Sequence, residues 1–282
     1  MNILKFIESF TNEGVIKGLS EKGSRRDSFT QFQNIGKTAA FAAVPFGLSA
    51  LLAPTKARAA SAAFFAEAAE TPTEALQLAL TLEYLEDEFY QMALDTTGLI
   101  PAADQAIIAQ ISQHEASHVE FLKTALGNDA PAKPTFDFTG GQSANGGGPF
   151  NPFGDYQTFL ALSQAFEDTG VRAYKGQAAN LMSNGDLLQA ALQIHSVEAR
   201  HASQIRRLRG QKGWITSNDR GGLPVQAQPV YDGEQVTLQG TFNTAVVSNA
   251  GNPVIPAGAG TESFDEPLTG AQARSIAGLF IV

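Results

Sequence analysis

Residues 112–118 read Ser-Gln-His-Glu-Ala-Ser-His (SQHEASH) and interrupt a helical run that otherwise carries isoleucine and leucine. Counted at 3.6 residues per turn, Ile108, Ile111, Glu115, His118, Leu122 and Ala125 share one face. A carboxylate and an imidazole on a core-facing stripe are costly unless something satisfies them. The chain has four histidines; two lie here and two lie in HSVEARH, residues 195–201. There the stripe is Leu187, Ala191, Ile194, Glu198, His201, Ile205 and Leu208, again with a Glu-x-x-His pair at the same phase.

Two earlier segments show a related pattern. Glu83 and Tyr90 are seven residues apart, as are Glu167 and Tyr174, so each pair lies on one face of its helix. Leu76, Leu80 and Leu94 share the Glu83 stripe, and Leu160, Val171 and Ala178 share that of Glu167. The capping box Thr71-Pro72-Thr73-Glu74 predicts a first helix to about Thr97, before Gly98. A second is expected from Pro101 to Gly127, a third from Asp155 to about Met182, and a fourth from Gly185 to Arg209, before Gly210. The short joins near Gly98 and at Ser183-Asn184-Gly185 make two antiparallel hairpins. Glu83 and Glu115, and Glu167 and Glu198, stand about equally far from their turns, so each hairpin levels its own pair.

Between the hairpins, GNDAPAKPTFDFTGGQSANGGGPFNPFG is too rich in glycine and proline for regular structure and long enough to cross the bundle. The fold expected is all-α: an antiparallel four-helix bundle over 60–212 with one long crossover. Residues 213–282 are expected to be an irregular extension packed on the bundle or on a partner. Short strands such as Gln235–Leu238 and a final helix after Thr269, boxed by Gln272, are expected within it.

Folded this way, Glu83, Glu115, His118, Glu167, Glu198 and His201 converge at mid-bundle. Four carboxylates and two imidazoles suit a pair of divalent metal ions, the carboxylates spanning and neutralising two charges and each histidine giving one nitrogen to one ion. One Glu-x-x-His alone reads as surface polarity; two copies with matching upstream Glu-x6-Tyr do not. Tyr90 and Tyr174 are candidate hydrogen-bond partners of the ligands, and Asp87, on the Glu83 face, is a third. Glu86, Asp87 and Glu88 align in the repeat with Gly170, Val171 and Arg172, which selects Glu83 as the ligand. His114 and His195 do not correspond to each other and read as polar surface groups, although His195 is close enough to Glu198 to help it.

Composition narrows the function. A net charge of −9 argues against a nucleic-acid partner. The absence of cysteine excludes disulfides, thiolate metal sites, a cysteine nucleophile and a rubredoxin-like CxxC module. Residues 1–59 differ, with eight basic and four acidic residues. Arg25-Arg26, the uncharged run Thr38–Thr55 and Ala57-Arg58-Ala59 are expected to form an export signal, 1–59, of twin-arginine type. Pro45, Gly47 and Pro54 break that run, so no stable membrane span is expected in the mature chain.

The whole arrangement resembles the ferritin-like superfamily of dimetal carboxylate proteins over about residues 72–209. LEYLEDEFY (82–90), EASHVEFL (115–122) and FDEPLTGAQA (264–273) are similar to its exported group, which includes desiccation-related proteins. The resemblance implies that Glu83 and Glu167 are terminal ligands, that Glu115 and Glu198 bridge, and that His118 and His201 complete one ion each. In several relatives an acidic residue supports the histidine; here His114 and Val197 stand directly before the two glutamates. It further implies iron or manganese, with dioxygen or peroxide as reactant in ferroxidase-like or catalase-like chemistry; the competing expectation is a stress-protection protein whose metal pair is only structural. The oligomeric state is left open, a dimer included.

Overall fold

The structure is a computed structural model describing residues 70–142, 147–246 and 257–282. The expected export signal, residues 1–59, lies outside the described residues. Four long helices carry the bundle: α1 Pro72–Asp95, α2 Gln105–Leu126, α3 Tyr156–Gln177 and α4 Gly185–Leu208. Three begin where their caps direct. Thr71 and Glu74 close a capping box ahead of α1, with Pro72 in the first turn. Asp155 accepts from the Thr158 N–H at 2.7 Å, and Asn184 from the Leu187 N–H at 3.2 Å.

Helix α2 differs from expectation. Residues 102–104 form a turn and the helix starts only at Gln105. Asp104 holds the cap position, but its carboxylate accepts from the Tyr156 hydroxyl 2.9 Å away instead of capping. A tertiary bond that ties the start of α2 to that of α3 has replaced a local one. Helix α3 likewise ends earlier than expected, passing at Ala178 into a tighter 3₁₀ turn.

The two hairpins form as expected, α1 on α2 and α3 on α4, with α1 also against α3. The crossover does not wander. Near its start the Asp137 N–H donates to the Phe280 carbonyl at 2.8 Å, the Val282 N–H donates to Thr135 at 3.0 Å, and Phe136 bridges to Ile281. The C-terminus therefore sets the crossover's path.

Two apolar layers fill the bundle. One gathers Phe89, Tyr90, Ile108, Phe159 and Phe166, with Phe138 and Phe150 of the crossover. The other gathers Leu76, Leu80, Leu122, Tyr174 and Ile194. On α2, Ile108 and Ile111 precede Glu115 and Leu122 follows His118, so the polar level lies between the layers. Leu94 and Ala125, expected to be inside, are exposed; their neighbours Ala93 and Leu126 take the buried places at the helix ends.

The extension packs on the bundle. Ile215, Leu223, Val230 and Tyr231 cluster with Ala165 of α3. Strand β1, Leu238–Gln239, pairs antiparallel with β2, Phe242–Asn243, slightly later than expected, across a turn in which Gly240 has φ +60°. Helix α5, Ala257–Thr261, follows, and then α6, Gly270–Ala277, opened by the Thr269–Gln272 capping box that the sequence predicts. Ala273 and Ala277 of α6 pack on Leu78, Leu82 and Ala173. Gly176 lets the Leu268 carbonyl approach α3 where any Cβ would collide. Among the described residues no helix is long and apolar enough to cross a membrane.

Candidate metal centre

The structure brings all six expected residues together. Glu83, Glu115, Glu167, Glu198, His118 and His201 come from four different helices and are all buried. Their donor atoms form two groups, each within 4.8 Å throughout: Glu83, Glu115, His118 and Glu198 in one, Glu115, Glu167, Glu198 and His201 in the other. Glu115 and Glu198 belong to both groups, while Glu83 and Glu167 belong to one each. That division is the one expected of bridging and terminal carboxylates.

Both histidines turn Nδ1 inward. His118 Nδ1 lies 3.1 Å from Glu83, 3.0 Å from Glu115 and 3.3 Å from Glu198. His201 Nδ1 lies 2.8 Å from Glu115 and 3.3 Å from Glu167. Despite that closeness, His201 Nδ1, Glu115 Oε1, Glu167 Oε2 and both oxygens of Glu198 lack a hydrogen-bonding partner. Buried polar atoms are almost always paired. Here they belong to residues of the two donor groups, an arrangement that suits donors around a cation. The residues present fit a pair of metal ions by number, type and aim.

Charge is concentrated to match. Burial, reinforced by Glu115, Glu83 and Glu167, pushes the Glu198 carboxyl well above the usual carboxylate range. Burial likewise lifts Glu115 to about 7, although the neighbouring histidines oppose it. For His201, burial works downward, but Glu167 and Glu115 outweigh it and carry the imidazole up to about 11. His118 is also raised, its carboxylate neighbours again overcoming burial.

The tyrosines complete a two-fold pattern that crosses between hairpins. Tyr90 donates to Glu167 Oε1 at 2.5 Å, and Tyr174 donates to Glu83 Oε1 at 2.6 Å. Each terminal glutamate thus has one oxygen held by the opposite hairpin and the other, Oε2, facing a histidine. Burial first, and then the glutamate each one meets, raises both phenols well above their ordinary range, so they stay protonated donors.

Four residues lie elsewhere than expected. Asp87 does not reach the centre; it is half-buried and accepts from Gln91 one turn on. Glu86, set aside by the repeat, is buried beside the four glutamates with Oε2 unpartnered, and burial followed by the charge of Glu198 raises its carboxyl well above normal. His114 is no free surface group, because its Nδ1 lies 2.9 Å from His201 Nε2. His195 is half-buried next to Val171 of α3 and belongs to neither donor group.

Gly170, the counterpart of Glu86 in the repeat, explains where that extra carboxylate fits. A Cβ at Gly170 would lie 2.7 Å from Glu198 Oε2 and 3.5 Å from Glu86 Oε1. Glycine in mid-helix normally costs about 1 kcal/mol against alanine; here it keeps room for two carboxyl groups. Gly170→Ala is therefore expected to leave overall stability within about 1 kcal/mol, helix propensity offsetting the crowding. Its affinity for Mn(II) should fall by at least about tenfold as Glu198 is displaced, and a calorimetric titration checks this.

Residues 71–211 match the family described as a ferritin-like domain. Comparison with curated proteins gave no match.

Proposed function

The chain belongs to the ferritin-like domain family, which matches half of its length, and from that premise we propose that it is an exported di-iron or di-manganese carboxylate protein acting on dioxygen or peroxide. The observation that carries this reading is the set of buried, unpartnered oxygen and nitrogen atoms converging from four helices. A bound pair of redox-active ions would supply two electrons to an O–O bond. Glu115 and Glu198 span the two positions, Glu83 and Glu167 hold one each, and His118 and His201 complete them. Tyr90 and Tyr174 fix the outer oxygens of the terminal glutamates, leaving the inner ones aimed at the centre. The apolar layers on either side keep bulk water away and strengthen every charge within.

Export by a twin-arginine route is part of the proposal, supported by Arg25-Arg26 and the uncharged run after them. That route carries folded proteins, so metal can be loaded before export. Replacing both arginines with lysine should abolish export; undiminished export would contradict this part. The central test is metal analysis of protein purified from metal-replete cells of its native host, followed by oxygen and peroxide consumption. Two iron or manganese ions per chain and turnover of either oxidant are expected. A redox-silent zinc protein would instead favour a structural, stress-protecting role for the pair.

Loading should also release protons. Glu86, Glu115, Glu198, His118 and His201 all have raised pKa values in the cation-free chain. A raised pKa keeps a proton on the group at neutral pH, and a cation takes only the deprotonated form. Raising the pH removes that competition, so affinity should climb between about pH 6 and about pH 8. Calorimetry in buffers of different ionisation enthalpy should count more than one proton released per chain; a flat affinity across that range would show the raised values to be wrong.

A further inference from the structure

The two halves of the centre are related by an approximate two-fold repeat, and one of its breaks falls beside the two Glu-x-x-His pairs. His114 precedes Glu115, and Val197 precedes Glu198. From α2, His114 reaches across to the histidine of the other hairpin. Its Nδ1 lies 2.9 Å from His201 Nε2, with the rings stacked 5.1 Å apart and 12° from parallel. Its Nε2 lies 2.8 Å from the side-chain amide nitrogen of Gln110, which is exposed. Gln110, His114 and His201 thus form a line from the surface to the centre. The corresponding neighbour of His118 would be Val197, whose side chain has no acceptor. The polar contacts of His118 to the carboxylates all run through Nδ1.

Two imidazole nitrogens at hydrogen-bond distance must be one donor and one acceptor. His201 presents Nδ1 to Glu115 and Glu167. It can give that lone pair to a cation only as the tautomer with hydrogen on Nε2. His114 Nδ1 is placed to accept that hydrogen, which fixes both the tautomer and the ring plane of His201. Partners of this kind commonly change metal affinity by about 10–100-fold.

We propose that His114 is a positioning residue for His201, and that it makes the two cation positions unequal, the His201 position binding the more tightly. This rests on the dimetal reading above. His114 then carries its own hydrogen on Nε2 and donates to the carbonyl oxygen of Gln110, an orientation reached by a simple turn of the amide. The consequence is a defined order of loading: the His201 position fills first and the His118 position second.

The test is an equilibrium titration of the metal-free full chain with Co(II), followed by its visible absorption and by calorimetry. The wild type should show two unequal steps. His114→Ala should weaken the tighter step by about 10–100-fold and leave the other within about twofold, with cation-free thermal unfolding unchanged. His114→Gln, which keeps an acceptor, should restore most of the loss, a rescue that a merely space-filling role would not give. Val197→His should strengthen the weaker step. An alanine variant that leaves both steps unchanged, or weakens both equally, overturns the proposal. A wild type that takes up no Co(II) removes the dimetal reading and this inference together. Unequal steps in a protein inert to dioxygen and peroxide leave the inference standing and overturn only the redox reading.

Discussion

Replacing Glu198 with glutamine is expected to remove both cations and, at the same time, to make the cation-free bundle more stable. Glu198 belongs to both donor groups, and neither of its oxygens has a hydrogen-bond partner. A glutamine has one acceptor oxygen and no charge, so it cannot span two cations, and each position loses a ligand. The stability change follows from the raised carboxyl. An acid whose folded pKa lies above its unfolded value takes up a proton on folding, and stability falls as pH rises from about the unfolded value. Glu198 starts from 4.5 and is raised well above it on folding, so the wild type carries this penalty at neutral pH. Glutamine escapes it, and its amide can donate to the carboxylates around it. For a domain of this size that is a rise of roughly 2–4 °C in Tm per kcal/mol. Calorimetry of chelator-stripped samples at neutral pH and at about pH 5 checks the sign, because the gap between variant and wild type should shrink in acid. A variant that still holds two Mn(II), or melts below the stripped wild type, would falsify the argument.

The same residue shows what the sequence could and could not disclose. Spacing alone placed Glu83, Glu115, Glu167, Glu198 and both ligand histidines at one level, because helical period and short hairpin turns leave little freedom. The tyrosines were legible for the same reason, at seven residues from their glutamates; that each one serves the opposite hairpin was not. Asp87 and Glu86 show the limit. One follows Glu83 by four residues and the other by three, so they flank it on opposite sides of the stripe. Which side meets α3 and α4 depends on how the helices cross, and a single helix does not encode that. Comparing the repeats did not disclose that Gly170 leaves room for the Glu86 carboxylate. His114 sits one residue off the stripe and gained its role only from a neighbour on another helix.

Helix α3 was the other blind spot. It carries Ser163, Gln164, Asp168, Thr169 and Arg172, polar residues that are all buried. The extension packs on this helix, and nothing in the α3 sequence announces a cover arriving from beyond α4. Ser163 and Thr169 donate to carbonyls of α3 itself, and the other polar groups are met by the extension and α4. Gln164 donates to the Tyr231 hydroxyl at 3.1 Å, and Tyr231 in turn donates to Asp168 at 2.9 Å. Arg206 of α4 closes the cluster on Asp168.

Arg172→Ala is the substitution expected to loosen this cover most. The Arg172 guanidinium is 1% exposed and donates to the Glu266 carbonyl at 2.7 Å, to the Asp232 carbonyl at 2.8 Å and to that of Val230. It also pairs with the buried carboxylate of Glu234 at 2.7 Å. Removing it leaves a buried carboxylate unpaired and three carbonyls unmet, which together should cost about 3–5 kcal/mol. Lysine should recover little, because a single ammonium cannot reproduce a planar fork that reaches several acceptors. Arg172→Met with Glu234→Gln should recover part of the loss, since removing both charges avoids the stranded one. Arg172 stands two residues from Gly170, about 200° around the helix, so it points away from the centre that Gly170 faces. Cation binding should therefore persist while the extension opens, and within that segment residues 225–246 and 257–268 should become open to hydrogen exchange and proteolysis. If unfolding stays a single transition and the exchange of that segment does not quicken, Arg172 is not what holds the extension to the bundle.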